Sequence, residues 1–164
     1  MHKTISKTLL SVIIISAVIA LDQYVKLWVV EYFQSHHIRL LEICSIFNLT
    51  IVFNKGISFG MFNQWAYNNY IFLVLASVVT LFVVYLLIEA RGLLIQISYS
   101  LIIGGAVGNI IDRYNSGAVL DFIELHWQQV YFPAFNIADS AICAGAALLL
   151  YDMIVNDLNK KKKK

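Results

Sequence analysis

Four apolar stretches, at about residues 7–29, 67–88, 93–111 and 134–155, limit this chain more than any other feature. Each is close to the roughly 20 residues that an α-helix needs to cross the hydrocarbon of a bilayer. Inside that hydrocarbon every backbone polar group must be paired within the protein, which leaves helices as the fold of such stretches. Composition agrees. Of 164 residues, 60% are hydrophobic and only 13% charged, whereas a soluble domain carries about twice that share of charge. The first stretch, with Lys3 and Lys7 ahead of it, has the layout of a secretory leader. However, no small-x-small site ends it, and a helical pattern runs on through Asp22 and Lys26. The expectation is a single membrane domain with four spans.

Residues 31–66 read differently. From Phe47 the sequence FNLTIVFN sets Phe47, Leu49, Ile51 and Phe53 against Asn48, Thr50, Val52 and Asn54, the period of a strand with one buried face. A turn at Asn54-Lys55-Gly56 leads to an apolar segment expected to form a helix lying in the interface. Trp65, Tyr67 and Tyr70 stand where an aromatic belt would mark the membrane boundary. The segment 114–133 reads as an outer loop. Pro133, the sole proline, is placed for the first turn of the last span, expected from Ala134.

Basic residues set the orientation. Of the twelve Lys and Arg, eight (Lys3, Lys7, Arg91 and Lys160 to Lys164) fall on the side shared by both termini and the 89–91 connection. The positive-inside rule makes that side cytoplasmic. The lysine tail hangs from a span rather than from a basic domain, so it reads as a solvated anchor, and no nucleic-acid partner is expected. Adjacent His36 and His37 cannot share a helical face. Cys44 and Cys143 fit no metal spacing and read as small buried or interfacial residues. Neither a metal nor a cofactor is expected.

Against this apolar background, polar residues cluster. Asn109, Asp112 and Arg113 share one helical face, as do Asn136 and Asp139, and Asp22 and Lys26 are spaced i, i+4. With Asn54 and Asp121 they gather near the outer membrane face, where ionisable groups are costly unless they line a cavity or pair. The residues themselves leave three readings open. Asp22–Lys26 and Asp112–Arg113 are internal ion pairs, with Asp121 in a turn and Asp139 bonded to Asn136. Alternatively, two carboxylates confined to one cavity share a proton and activate water against a peptide carbonyl. The third reading is a proton or ion path using Asp112 and Asp139.

The order Asp22-Gln-x-x-Lys26, Asn54-x-Gly56, Gly108-Asn109-x-x-Asp112-Arg113, Gly117-x-Val119-x-Asp121-Phe122 and Phe135-Asn136-x-Ala138-Asp139 resembles the lipoprotein signal peptidases (signal peptidase II) from about residue 8 to 155. The resemblance implies a four-helix membrane bundle with a small β-containing cradle and an interfacial helix. It implies an aspartic endopeptidase of the bacterial inner membrane that cleaves diacylglyceryl-modified prolipoproteins just before the lipidated cysteine; lipidated substrates and membrane lipid are the expected partners, and the chain is expected to be a monomer. Asp121 and Asp139 match the catalytic pair of that family. Asp22, Lys26, Asn54, Gly56, Asn109, Asp112, Arg113 and Asn136 match its supporting positions. One departure stands out: Ile57 and Ser58 occupy the place of two alanines common in the family.

Overall fold

The computed structural model describes residues 2–56 and 68–161. Their elements run α1 (His2–His36), β1 (Leu40–Cys44), β2 (Phe47–Asn54), α2 (Asn68–Glu89), α3 (Leu93–Ser116), β3 (Val119–Trp127), β4 (Val130–Tyr131) and α4 (Ile137–Lys161). The interfacial helix expected after Gly56, along with Ile57, Ser58, Trp65 and Tyr67, lies outside the described residues.

Among the described residues, four helices are long and apolar enough to cross a membrane: Thr8–His36, Tyr70–Glu89, Leu93–Ser116 and Ile137–Asn156. Their packing is inverted relative to a water-soluble bundle. Leu27, Leu81 and Ile88 are 71%, 68% and 75% exposed, while Asp22, Ser98, Ser100 and Asn136 are fully buried. Lipid tails are as apolar as leucine, so nothing drives those side chains inward, whereas polar groups must find partners inside.

The central helix is α3, which packs against the other three. Small residues make this possible. Gly104 sits against Val18, Gly108 against the Asp22 carboxylate, and a Cβ added to Gly105 would collide with the Ala138 carbonyl. Further along, the Gln96 side chain donates to Ser11 Oγ at 2.8 Å, tying α3 to α1. Gly117, left-handed at φ 71, donates its N–H to the Arg113 carbonyl and ends α3, a stop that costs a residue without Cβ little.

That stop turns the chain into β3. The strands form an antiparallel sheet in the order β1-β2-β3-β4. Val29 and Phe33 of α1 pack with Leu49 and Phe122 of the sheet, fastening it to the C-terminal end of α1.

Three local expectations change. The segment 114–133 is mostly β3 and β4 rather than loop. The last helix starts at Ile137, not Ala134, because Phe135 is held in an extended bridge to Ile123, with N–H···O bonds of 3.0 and 2.8 Å in the two directions. Pro133 therefore precedes that bridge instead of opening the helix. Cys44 and Cys143 are both exposed, so of the two alternatives, buried or interfacial, the buried one does not hold.

Candidate active site

The β2–β3 register pairs Val52 with Asp121 and Asn54 with Val119. This sets the Asn54 side chain beside Asp121, and Asn54 Nδ2 donates to Asp121 Oδ2 at 3.1 Å. The carboxamide oxygen of Asn54 accepts the Gly56 N–H at 3.0 Å, closing a turn. Arg113 Nη2, reaching over from α3, donates to the Gly56 carbonyl at 3.2 Å.

Asp139 arrives from the other side, on the first turn of α4. The Asp139 N–H donates to Asn136 Oδ1 at 2.9 Å, and the Asn136 N–H donates to Asp139 Oδ2 at 3.3 Å. The reciprocal pair satisfies two amides that a helix start otherwise leaves open. Fully buried Asn136 then turns its Nδ2 outward to Asp121 Oδ1 at 2.8 Å, with Leu120 O and Asn109 Oδ1 each at 3.2 Å. Asn109 completes the link by donating to Asp139 Oδ1 at 2.8 Å. The two carboxylates are thus joined through the carboxamides of Asn136 and Asn109.

Behind them lies a buried ionic group. Lys26 Nζ is 2.7 Å from both Asp22 Oδ2 and Asp112 Oδ2. Asp112 therefore pairs with Lys26 of α1, a partner that the ion-pair reading did not give it. All ten residues singled out in the sequence come together here. Gln23, whose side chain bonds both Asp22 and Asp112, was missed as a site residue. Its signal was a carboxamide inside an apolar span, one position after Asp22. Among the described residues no three His, Cys, Asp or Glu side chains converge as a metal cage.

Asp121, 3% exposed, has its pKa raised from 3.8 to about 6, first by burial and then by the charge of Asp139. Hydrogen bonds from Asn54 and Asn136 and the charge of Lys26 pull it part of the way back. Asn54, Asn109, Arg113, Asp121 and Asp139 face a cavity of about 820 Å³, whose other walls include Leu75 and Val79 of α2, Ile102 of α3 and Ile142 of α4. A cavity of that size admits an extended peptide segment or a comparably large ligand.

Four apolar helices, an antiparallel sheet and two linked carboxylates at a mostly apolar cavity define a multi-pass membrane enzyme with a paired-aspartate site. The profile of the family described as Signal peptidase (SPase) II matches residues 14–155, and the chain belongs to that family. It is 42% identical over 159 residues to the lipoprotein signal peptidase of Neisseria gonorrhoeae, covering 96% of each chain. To that of Rickettsia conorii it is 40% identical over 140 residues, 85% of this chain and 70% of the relative. A solved structure described as a bacterial membrane enzyme at 2.3 Å resolution superposes with a TM-score of 0.78 at 29% identity, covering 94% of this chain and 93% of the other. A second, at 1.9 Å resolution, gives a TM-score of 0.74 at 28% identity over 87% and 91%.

Proposed function

We propose that Asp121 and Asp139 are the catalytic pair with which this peptidase removes signal peptides from prolipoproteins. The observation that carries the assignment is their common position on one cavity, cross-linked through Asn136 and Asn109. Asp121, with its raised pKa, holds the proton and Asp139 the charge. Asp139 takes a proton from a water between them as the water oxygen attacks the scissile carbonyl. Asp121 gives its proton to the developing carbonyl oxygen. As the tetrahedral species collapses, Asp139 passes its proton to the departing amine nitrogen and one hydroxyl of the tetrahedral carbon returns a proton to Asp121, which restores the starting pair.

The remaining residues support this chemistry. Asn136 and Asn109 orient the carboxylates, and Asn54, Gly56 and Arg113 tie the end of β2 to α3 over Asp121. Asp22, Lys26 and Asp112 form the ionic group behind it. The apolar walls suit a signal peptide arriving sideways from lipid with its acyl chains still in the bilayer. Cleavage just before a diacylglyceryl-modified cysteine follows from the family resemblance, as does residence in the bacterial inner membrane. The skew of basic residues supports cytoplasmic termini and an outward-facing site. One chain supplies every residue the reading uses, which fits a monomer.

The test is a gel-shift assay with purified protein and no other component. A precursor peptide bearing diacylglyceryl-cysteine is expected to shorten by its signal segment, without a proton gradient. An intact precursor after prolonged incubation with folded protein would refute the reading.

A further inference from the structure

Two side chains of α1, one charged and one neutral, each donate to the same two buried carboxylates. Lys26 Nζ lies 2.7 Å from Asp22 Oδ2 and 2.7 Å from Asp112 Oδ2. Gln23 Nε2 donates to Asp22 Oδ2 at 3.2 Å, to Asp112 Oδ1 at 2.9 Å and to the Gly108 carbonyl at 3.3 Å. Both carboxylates also hold backbone, Asp22 through its second oxygen and Asp112 through the oxygen that meets Lys26. Asp22 Oδ1 accepts the Ala138 N–H at 2.9 Å, and Asp112 Oδ2 accepts the Leu120 N–H at 3.1 Å.

Ala138 is the residue before Asp139, and Leu120 is the residue before Asp121. One carboxylate therefore grips the approach to each aspartate, and Gln23 with Lys26 fixes one carboxylate against the other. Room for this arrangement comes from Gly108, where an added Cβ would lie 2.8 Å from Asp22 Oδ2. We infer that Gln23 and Lys26 are positioning residues: together with Asp22 and Asp112 they form a yoke that sets the separation of the segments carrying Asp121 and Asp139, and so the rate of the chemical step.

Stability alone is a poor reason for such a group. A buried ion pair or triad can often be replaced by neutral side chains at no cost, while removing one partner is strongly destabilising. Spacing is a better reason. A carboxylate dyad works only while its two oxygens and the water between them stay within hydrogen-bond reach, and a displacement near 1 Å costs about a hundredfold in rate. A bilayer leaves α1, α3 and α4 free to slide over apolar faces, and charge-assisted bonds are directional where those contacts are not.

The inference rests on Asp121 and Asp139 being the catalytic pair, and the experiment separates the two. In the triple variant Asp22→Asn/Lys26→Met/Asp112→Asn, the asparagine oxygens still accept from Ala138 and Leu120 and no buried charge is left unpaired, but the ammonium link is gone. The milder variant Gln23→Met removes the neutral link alone. For each, kcat and KM are measured with the lipidated precursor in detergent, alongside the melting temperature and the pH profile.

The expected triple variant is folded, with kcat down at least about tenfold and KM within about twofold of wild type, as for an interaction felt in the chemical step. Gln23→Met is expected to lose about threefold or more in kcat, also at unchanged KM, by the same logic. Asp121 is faced by Asn136, Asp139 of α4, Asn54 of β2, Arg113 of α3 and Lys26 of α1. The triple variant removes two anions and one cation from behind Asp121, so the fall in kcat at unchanged KM, which a purely structural role would not give, is the readout that decides. Wild-type kcat in a folded triple variant overturns the yoke. If the triple variant does not fold, wild-type kcat in Gln23→Met does so instead. Should Asp121→Asn or Asp139→Asn turn over normally, the dyad assignment fails, whatever these variants show.

Discussion

Asn136 and Asp139 cap the start of α4 reciprocally, each accepting the other's backbone N–H. The same Asn136 carboxamide donates to Asp121. One residue therefore starts the helix that carries one aspartate and positions the other. Asn136→Ala is expected to lose a cap, about 1 kcal/mol of stability. It should also lose cleavage far beyond that figure, because Asp121 and Asp139 are no longer linked. Melting temperature measured with kcat separates the two effects. A fall in kcat that merely tracks unfolding would reduce Asn136 to a cap.

The close approach of α3 and α4 gives a sharper steric test. A methyl at Gly105 would meet the Ala138 backbone carbonyl, which cannot rotate away as a side-chain end can. Gly105→Ala is expected to push the start of α4 outward, lowering thermal stability and abolishing turnover. Gly92→Ala is a milder comparison: open space surrounds its Cβ position, and only its φ of 119 is strained. Equal activity in the two variants would show that α3 and α4 tolerate separation at this depth.

Arg113 reaches the Gly56 carbonyl and so grips the turn after β2, and its charge also acts on Asp139 and Asp121. Arg113→Lys is expected to recover little activity, since an ammonium lacks the planar set of donors. Arg113→Ala is expected to lower stability by about 1.5–3 kcal/mol, the usual range for a hydrogen bond to a charged group. Binding of a peptide mimic that spans the dyad checks the role: Asp121→Asn should bind it and Arg113→Ala poorly. Equal binding with an unchanged melting temperature would remove Arg113 from the site.

The raised pKa of Asp121 gives two signed pH effects. The pair needs one proton, so kcat/KM is expected to fall as pH rises through the Asp121 pKa, about 6 in the unliganded site. Asn54→Ala removes a bond that favours the charged form and should move that limb to higher pH. Stability follows the same proton. Between 3.8 and about 6 the folded chain holds a proton that the unfolded chain has released. Stability therefore declines as pH rises across that window, and Asp121→Asn should flatten the decline. An unchanged slope in that variant would place the titration elsewhere.

Legibility from sequence varied by residue. The apolar spans were readable from their length and the β2 strand from its alternation, but the buried face was not, since Asn48 is buried and Phe53 is 56% exposed. The extent of α3 was not: Asn109, Asp112 and Arg113 look like the end of a span, yet the helix runs on to Ser116 because their partners lie on other segments. Strand β3 hid in an expected loop because its burial does not alternate. Both Phe122 and Ile123 donate to the Phe135 carbonyl, and Val119 to Phe122 are all buried. Asp22 and Lys26 were visible as an i, i+4 pair. That Asp112 is the second partner of Lys26 is a contact between α1 and α3 that spacing within one helix cannot encode.

Orientation can be tested on the intact cell. A single cysteine at Ser116 is expected to react with an impermeant thiol reagent from outside, and one at Gly92 is not, given the basic residues shared by the termini and the 89–91 connection. Labelling of the Gly92 position from outside would put the site on the cytoplasmic side.

The central claim is the dyad, and single-turnover cleavage of a diacylglyceryl-modified precursor by Asp121→Asn and Asp139→Asn tests it most directly. Each substitution keeps shape and some hydrogen bonding but removes an ionisable carboxyl, so both proteins should fold and bind precursor while cleavage falls by at least about a thousandfold, within the range a positioned acid or base supplies. Asp152→Asn, whose carboxylate accepts a bond from Asn156 on an exposed face of α4, should cleave at the wild-type rate. Near-normal cleavage by either folded dyad variant would contradict the account.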